Sequence, residues 1–483
     1  MTMDNRTRWL ALYVLCLGDL MIVLDGTIVN VALPSIRDDL GFSQTSLAWV
    51  VNAYLLTFGG FLLLGGRLGD LFGHRRLFLS GITLFTLASL ACGTATSQEF
   101  LVAARAVQGI GGAVVSAVAL SLLMMLFTEQ ADRAKAMGVF GFVLSGGGTA
   151  GVLLGGVLTD VLNWHWIFLV NLPVGAIVYL LSLKLLPGEH AQTSKGLDIA
   201  GAITVTSSLM LAVYAIVNGN EAGWTSGQTV GLLAGAAALL VVFLILEGRI
   251  RSPLVPLGLF RNRNVSTANV VGILMAGGMF AWFFFSALYL QRVLGYTPLE
   301  VGLAYLPSMV IWGGSSLLLS DRLVMRFGIK TPLVGGLALM TLALILFART
   351  PTDGNVFIDV LPATIPIGLG AGIAFNPILL AAMSGVEQTE AGLASGVVNT
   401  SFMMGGALGL AILASLADSR TESLTDSRSP LGALNGGYHA AFVVGAVFAV
   451  AAAAVGAALL RAAQTAPAHG PEPMAVPACA EVE

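Results

Sequence analysis

Segment 24–34, LDGTIVNVALP, places Asp25 inside an apolar run long enough to cross a bilayer. An ionisable side chain at such a position is costly and marks a functional site, often a proton carrier. Arg105 lies inside a second apolar run. At 1.5 Å per residue, Asp25 sits about 13 Å and Arg105 about 9 Å below the same membrane surface, so the two can pair. A buried guanidinium stays charged and needs a partner, whereas protonation of Asp25 breaks the pair and frees the arginine. That is a two-state switch; a static pair tying two helices together is the competing role. Asn30 reads as a polar cap at the outer end of the run. Asp19, six residues before Asp25, faces about 240° around the helix from it. It is either a second acid, facing a cationic substrate or a water-filled cavity, or a polar contact with a neighbouring helix.

Three further patterns bear on movement. Segment 66–76, GRLGDLFGHRR, reads as a tight loop between two spans, with Gly66 and Gly73 for the turn, Asp70 as a carboxylate and Arg75 and Arg76 as a basic cluster. Asp70 beside glycines suggests a helix-end latch that holds one conformation shut, the alternative being a basic loop facing lipid headgroups. Gly147, Gly151 and Gly155 recur at spacing four, with Gly156 alongside, which permits very close helix approach as tight packing, or as a hinge or seal. Trp164 and Trp166 read as interfacial anchors, and Trp282, Phe283, Phe284, Phe285 and Tyr289 as aromatics facing lipid or, alternatively, a flat ligand.

These residues must be held by helices that cross a membrane. The chain is 56% hydrophobic and 10% charged with mean hydropathy +0.87, against roughly 25% charged in soluble domains. Apolar runs of about 20 residues recur about fourteen times, the first near 9–33 and the last near 438–461, with a polar outer loop at 417–437 that reads as disordered. Of the 23 Lys and Arg residues, 17 fall on one side, 5 on the other and Arg105 within a span. The excess of positive charge predicts that both termini are cytoplasmic. The first run is too long for a secretory signal and reads as an uncleaved span. Cys16 and Cys92 read as small buried hydrophobes, and the three cysteines show no metal-ligand spacing or disulfide framework. No phosphate-binding loop, zinc motif or nucleophile elbow is present, and the five histidines are scattered near span ends and loops. The expectation is a transporter with no cofactor and no nucleic-acid partner, driven by a proton gradient, not an enzyme.

The chain also repeats itself. A shift of 254 to 255 residues aligns LGFS at 40–43 with LGYT at 294–297. The same shift aligns Arg67, Phe72, Gly73 and Arg75 with Arg322, Phe327, Gly328 and Lys330, and Gly141 and Gly151 with Gly396 and Gly406. Met325 stands where the repeat of Asp70 would fall. The expected fold class is an all-α polytopic membrane protein of the major facilitator type. It comprises a six-helix bundle over 1–186, two inserted helices over 187–263, a second six-helix bundle over 264–461 and a disordered tail over 462–483.

Together these residues resemble the fourteen-span drug/proton antiporter branch of the major facilitator superfamily. Segment 24–34 is similar to its first-span signature, whose acid, here Asp25, is implicated in proton coupling. Segment 66–76 resembles the superfamily's gating loop with Asp70 as its carboxylate. Arg105, Gln108, Gly109, Gly111 and Gly112 match the fourth-span motif, whose arginine is associated with proton transfer, and segment 164–175, WHWIFLVNLPVG, matches a sixth-span signature. Val152 follows Gly151 where the family's fifth-span motif has proline. The resemblance implies proton-coupled efflux of hydrophobic or cationic drugs or antibiotics by a monomer in a bacterial cell membrane. Export of an endogenous metabolite or self-made antibiotic is the alternative, and a membrane-embedded sensor or enzyme the reading from another class.

Overall fold

The computed structural model describes residues 4–43, 45–187, 198–250, 253–384, 386 and 391–460. The tail 462–483 and the side chain of Asp70 lie outside the described residues, and with them the expectations of disorder and of a latch.

Every long element is a helix: α1 Asn5–Leu40, α2 Ala48–Phe72, α3 His74–Gly93, α4 Gln98–Leu126, α5 Gln130–Val161, α6 Trp166–Leu185, α7 Ile199–Ala222 and α8 Gly227–Arg249. They are followed by α9 Arg263–Val293, α10 Pro298–Phe327, α11 Lys330–Phe347, α12 Val356–Met383, α13 Ala391–Leu424 and α14 Pro430–Leu459. Among the described residues, 13 of them are long and apolar enough to span a bilayer, and α5, with 32 residues, is the fourteenth long helix. In hydrocarbon each backbone amide must be satisfied within its own segment, which is why such runs become helices. Polar residues set several starts. Ser97 caps α4 by accepting the Phe100 amide, and Thr297 and Glu300 form a capping box at α10.

The packing shows the repeat in three dimensions. α1 packs on α5, α2 on α4 and α3 on α4 and α6. Their counterparts repeat the pattern: α9 on α13, α10 on α12 and α11 on α12 and α14. Across the halves, α5 lies on α10 and α13 on α2, so each second helix meets the other half's fifth. The inserted pair breaks this symmetry. α7 packs on α8, α2 and α13, covering one of the two seams.

Four expectations are corrected. α1 does not end at Pro34 but runs to Leu40, and Asn30 lies mid-helix with its amide donating to the Gly26 and Thr27 carbonyls. A proline removes one helical hydrogen bond, and packing against neighbouring helices lets the helix continue. Segment 66–76 is almost wholly helical, with the turn confined to Gly73 at φ 90°. The stretch 417–437 is mostly helix, broken only between Leu424 and Pro430. Trp282, Phe283, Phe284, Phe285 and Tyr289 do not face lipid. All five are buried, and Trp282 meets Tyr305 edge to face at 5.3 Å.

Candidate functional site

Asp25 and Arg105 meet in the first half. Arg105 Nη1 donates to Asp25 Oδ2 at 2.5 Å, and the two side chains are 1% and 0% exposed respectively. Isolated, each charge would be prohibitively costly there, so what else touches the pair decides whether it is viable. Gln108, one turn along α4, accepts from Arg105 Nη1 at 2.7 Å and donates through Nε2 to Asp25 Oδ1 at 2.7 Å. Asn171 of α6 donates to the same Oδ1 at 3.1 Å, and Arg105 Nε donates to the Val50 carbonyl of α2 at 3.0 Å. Ser89 Oγ of α3 accepts from Gln108 and Asn171 at 2.7 and 3.3 Å. The guanidinium lies over the Tyr54 ring at 4.3 Å and the Phe168 ring at 5.6 Å. Five helices thus contribute to one closed network in which both carboxylate oxygens are engaged.

Chemically this is a poised ion pair. A proton on Asp25 would cancel its charge and leave Arg105 with the neutral acceptors Gln108 and Val50 and two aromatic faces. Those are partial substitutes for a carboxylate, so protonation favours rearrangement of α1 against α4.

Asp19 also reaches α4. Its Oδ1 accepts from Ser116 Oγ at 2.5 Å, and its Oδ2 is buried with no hydrogen-bond partner among the described residues. The glycine stripe divides. A Cβ on Gly147 would come 2.7 Å from Leu20 Cδ1, one on Gly151 3.0 Å from the Leu24 carbonyl, and one on Gly155 2.7 Å from the Ile28 carbonyl. These three therefore seat α5 on α1, within the same half. Gly156 faces the other half, where a Cβ would come 2.7 Å from the Pro298 carbonyl. On that side Gln291 donates to the Val31 carbonyl at 2.7 Å and Arg292 pairs with Asp38 at 3.1 Å. The π turn Tyr289–Val293 at the end of α9 carries both Gln291 and Arg292.

Either side of the α2–α3 turn, Gly66 within α2 faces open space, while in α3 Arg75 donates to the Leu183 carbonyl of α6 and Arg76 is exposed. Trp164 is buried with Nε1 on Asp39 Oδ2 at 2.9 Å, so it fastens α1 to the α5–α6 turn; Trp166 is 44% exposed, as an anchor would be. Cys92 is more than a hydrophobe, its thiol lying 3.6 Å from Gln108 Oε1. Ser89, Tyr54 and Val50 had no signal in the sequence as members of the site. Asn171 stood only inside the sixth-span signature.

The description Major Facilitator Superfamily matches residues 15–410. The puromycin resistance protein pur8 of Streptomyces alboniger is 41% identical over 450 residues, covering 92% of this chain and 88% of that protein. The cephamycin export protein CmcT of Amycolatopsis lactamdurans is 37% identical over 455 residues, covering 94% and 92%. Among solved structures, a bacterial homologue of the human lysosomal transporter Spinster, inward-facing and unoccupied, matches with TM-score 0.65 at 17% identity over 94% of this chain and 97% of that chain. That last likeness concerns the fold alone. With a family match over most of its length and relatives this similar, the chain belongs to the major facilitator superfamily.

Proposed function

We propose that this protein exports hydrophobic, antibiotic-like compounds from a bacterial cell in exchange for protons, by alternating access between its two halves. The observation that carries the reading is the buried Asp25–Arg105 pair, a charge switch with no exposure in this conformation. Relatives that bear the names of a puromycin resistance protein, a cephamycin export protein and a lincomycin resistance protein support the substrate class. The names cephamycin export protein and probable actinorhodin transporter also favour, as a second reading, export of a compound the cell itself makes.

The charge bias of the loops supports a cell-membrane protein with both termini in the cytoplasm. In that orientation Arg292–Asp38 and the Gln291 contact to Val31 lie on the outer side, so the conformation is closed outward. The cycle then runs as follows. Substrate enters from the cytoplasm, the halves rock, substrate leaves, and a proton taken up by Asp25 from outside weakens the pair and returns the protein inward. At about 150 mV one proton supplies about 3.5 kcal/mol, enough for roughly a 300-fold gradient of a neutral compound. A monomer with one site between its halves suffices, and the proton gradient is the energy source, with no cofactor.

The test is transport of puromycin into everted vesicles under an imposed pH gradient. Accumulation that collapses with the gradient supports the reading. Accumulation unaffected by loss of the gradient, in protein shown to be folded, would contradict proton coupling.

A further inference from the structure

Gln108, Gly112 and Ser116 follow one another at spacing four and so share a face of α4. At the Gln108 level Asp25 is fully engaged, as described above. At the next turn α4 has no side chain, and the Tyr54 hydroxyl fills the gap; a Cβ on Gly112 would lie 3.1 Å from its oxygen. That hydroxyl is buried and has no hydrogen-bond partner among the described residues. One turn further, Ser116 holds Asp19, which is 2% exposed and keeps one carboxylate oxygen without a partner among the described residues. Two buried polar groups lacking partners therefore stand in one row with a complete ion pair.

The two acids of α1 differ in what surrounds them. Asp25 has a cation and two amides, whereas Asp19 has one hydroxyl and, among the described residues, no cation in contact. A buried carboxylate so poorly served is unfavourable, and the neutral acid is the form its surroundings accept. The titratable groups facing Asp19 are Cys16 on its own helix and Tyr54 on α2, with Arg105 of α4 engaged by Asp25. Charged residues of α3, α5, α6 and α9 sit at helix ends, and Tyr179 lies in the second half of α6. Ser116, which holds Asp19, is partly exposed, while Asp25 is sealed.

We infer that Asp19 is a second proton-binding site, protonated in this conformation and distinct from Asp25. The inference rests on the proton-coupled reading above, but the occupancy of Asp19 is measurable with no substrate present.

The experiment is infrared difference spectroscopy of the full chain in lipid across a pH titration. The wild type should show the carbonyl stretch of a protonated carboxylic acid near neutral pH. That band should be absent in Asp19→Asn, present in Asp25→Asn, and shifted in frequency in Asp19→Glu, which also serves if Asp19→Asn fails to fold. No such band in folded wild type, or a band indifferent to both Asp19 substitutions, would overturn the site.

Discussion

At the residue scale, charge sits in a place that tolerates little of it. Arg105→Gln should destabilise the protein by about 3–5 kcal/mol, because it leaves the Asp25 carboxylate buried without its cation; unfolding in detergent, read as a fall in melting temperature, checks this. Adding Asp25→Asn to that variant should restore most of the stability without restoring coupling, since two neutral amides remove the uncompensated charge. Double-mutant analysis of melting curves would show strong coupling if the pair is as described, and simple additivity if it is not. Asp25 and Arg105 were legible as partners because charges in apolar runs are rare and their depths agreed. Ser89 and Tyr54 were not, because a serine or tyrosine in a membrane helix is ordinary until its neighbours are known. The span-9 aromatics were misread for a related reason: α9 is buried along much of its length, so it carries no polar face to betray which side is inward.

At the element scale, α1 is gripped from two sides. α5 seats on it through Gly147, Gly151 and Gly155, while α4 and α6 hold its acid. Any motion of α5 is therefore felt at Asp25. Gly155→Leu should cost about 1–3 kcal/mol, as overpacking does, because even a Cβ there meets the Ile28 carbonyl at 2.7 Å. Gly156→Leu strikes α10 in the other half instead. It should open the outer side, seen as increased thiol labelling of a cysteine placed at Val31, with less effect on melting temperature than Gly155→Leu. Glycine spacing told that something packs closely, but not what, since a stripe on one helix is silent about which neighbour it meets. Segment boundaries failed at Pro34, at 66–76 and at 417–437 because proline, glycine and polar residues usually end helices, whereas here the neighbouring helices carry the chain past them.

At the scale of the whole molecule, the internal repeat foretold a pairwise construction, and the reciprocal contacts of α5 with α10 and α13 with α2 are its outcome. The candidate site breaks the symmetry. Among the described residues the buried Asp25–Arg105 pair lies in the first half, and Met279 of α9 stands where a shift of 254 residues would carry Asp25. The inserted α7 covers only the α2–α13 seam and is tied there by Asn220, which donates to the Ser415 carbonyl at 2.7 Å. Alternating access predicts that fixing one face stops transport. In a Cys479→Ser background, Asp38→Cys with Arg292→Cys, joined by a short thiol cross-linker, should abolish efflux, and reductive cleavage of the linker should restore it. The most direct test of the central claim is substrate-driven proton movement in vesicles, following an imposed pH gradient as puromycin is added to wild type and to Asp25→Asn. The account predicts that the gradient collapses with wild type and that Asp25→Asn, folded and inserted, loses at least nine-tenths of that response. Equal collapse in both would contradict the assignment of Asp25 as the proton-coupling residue.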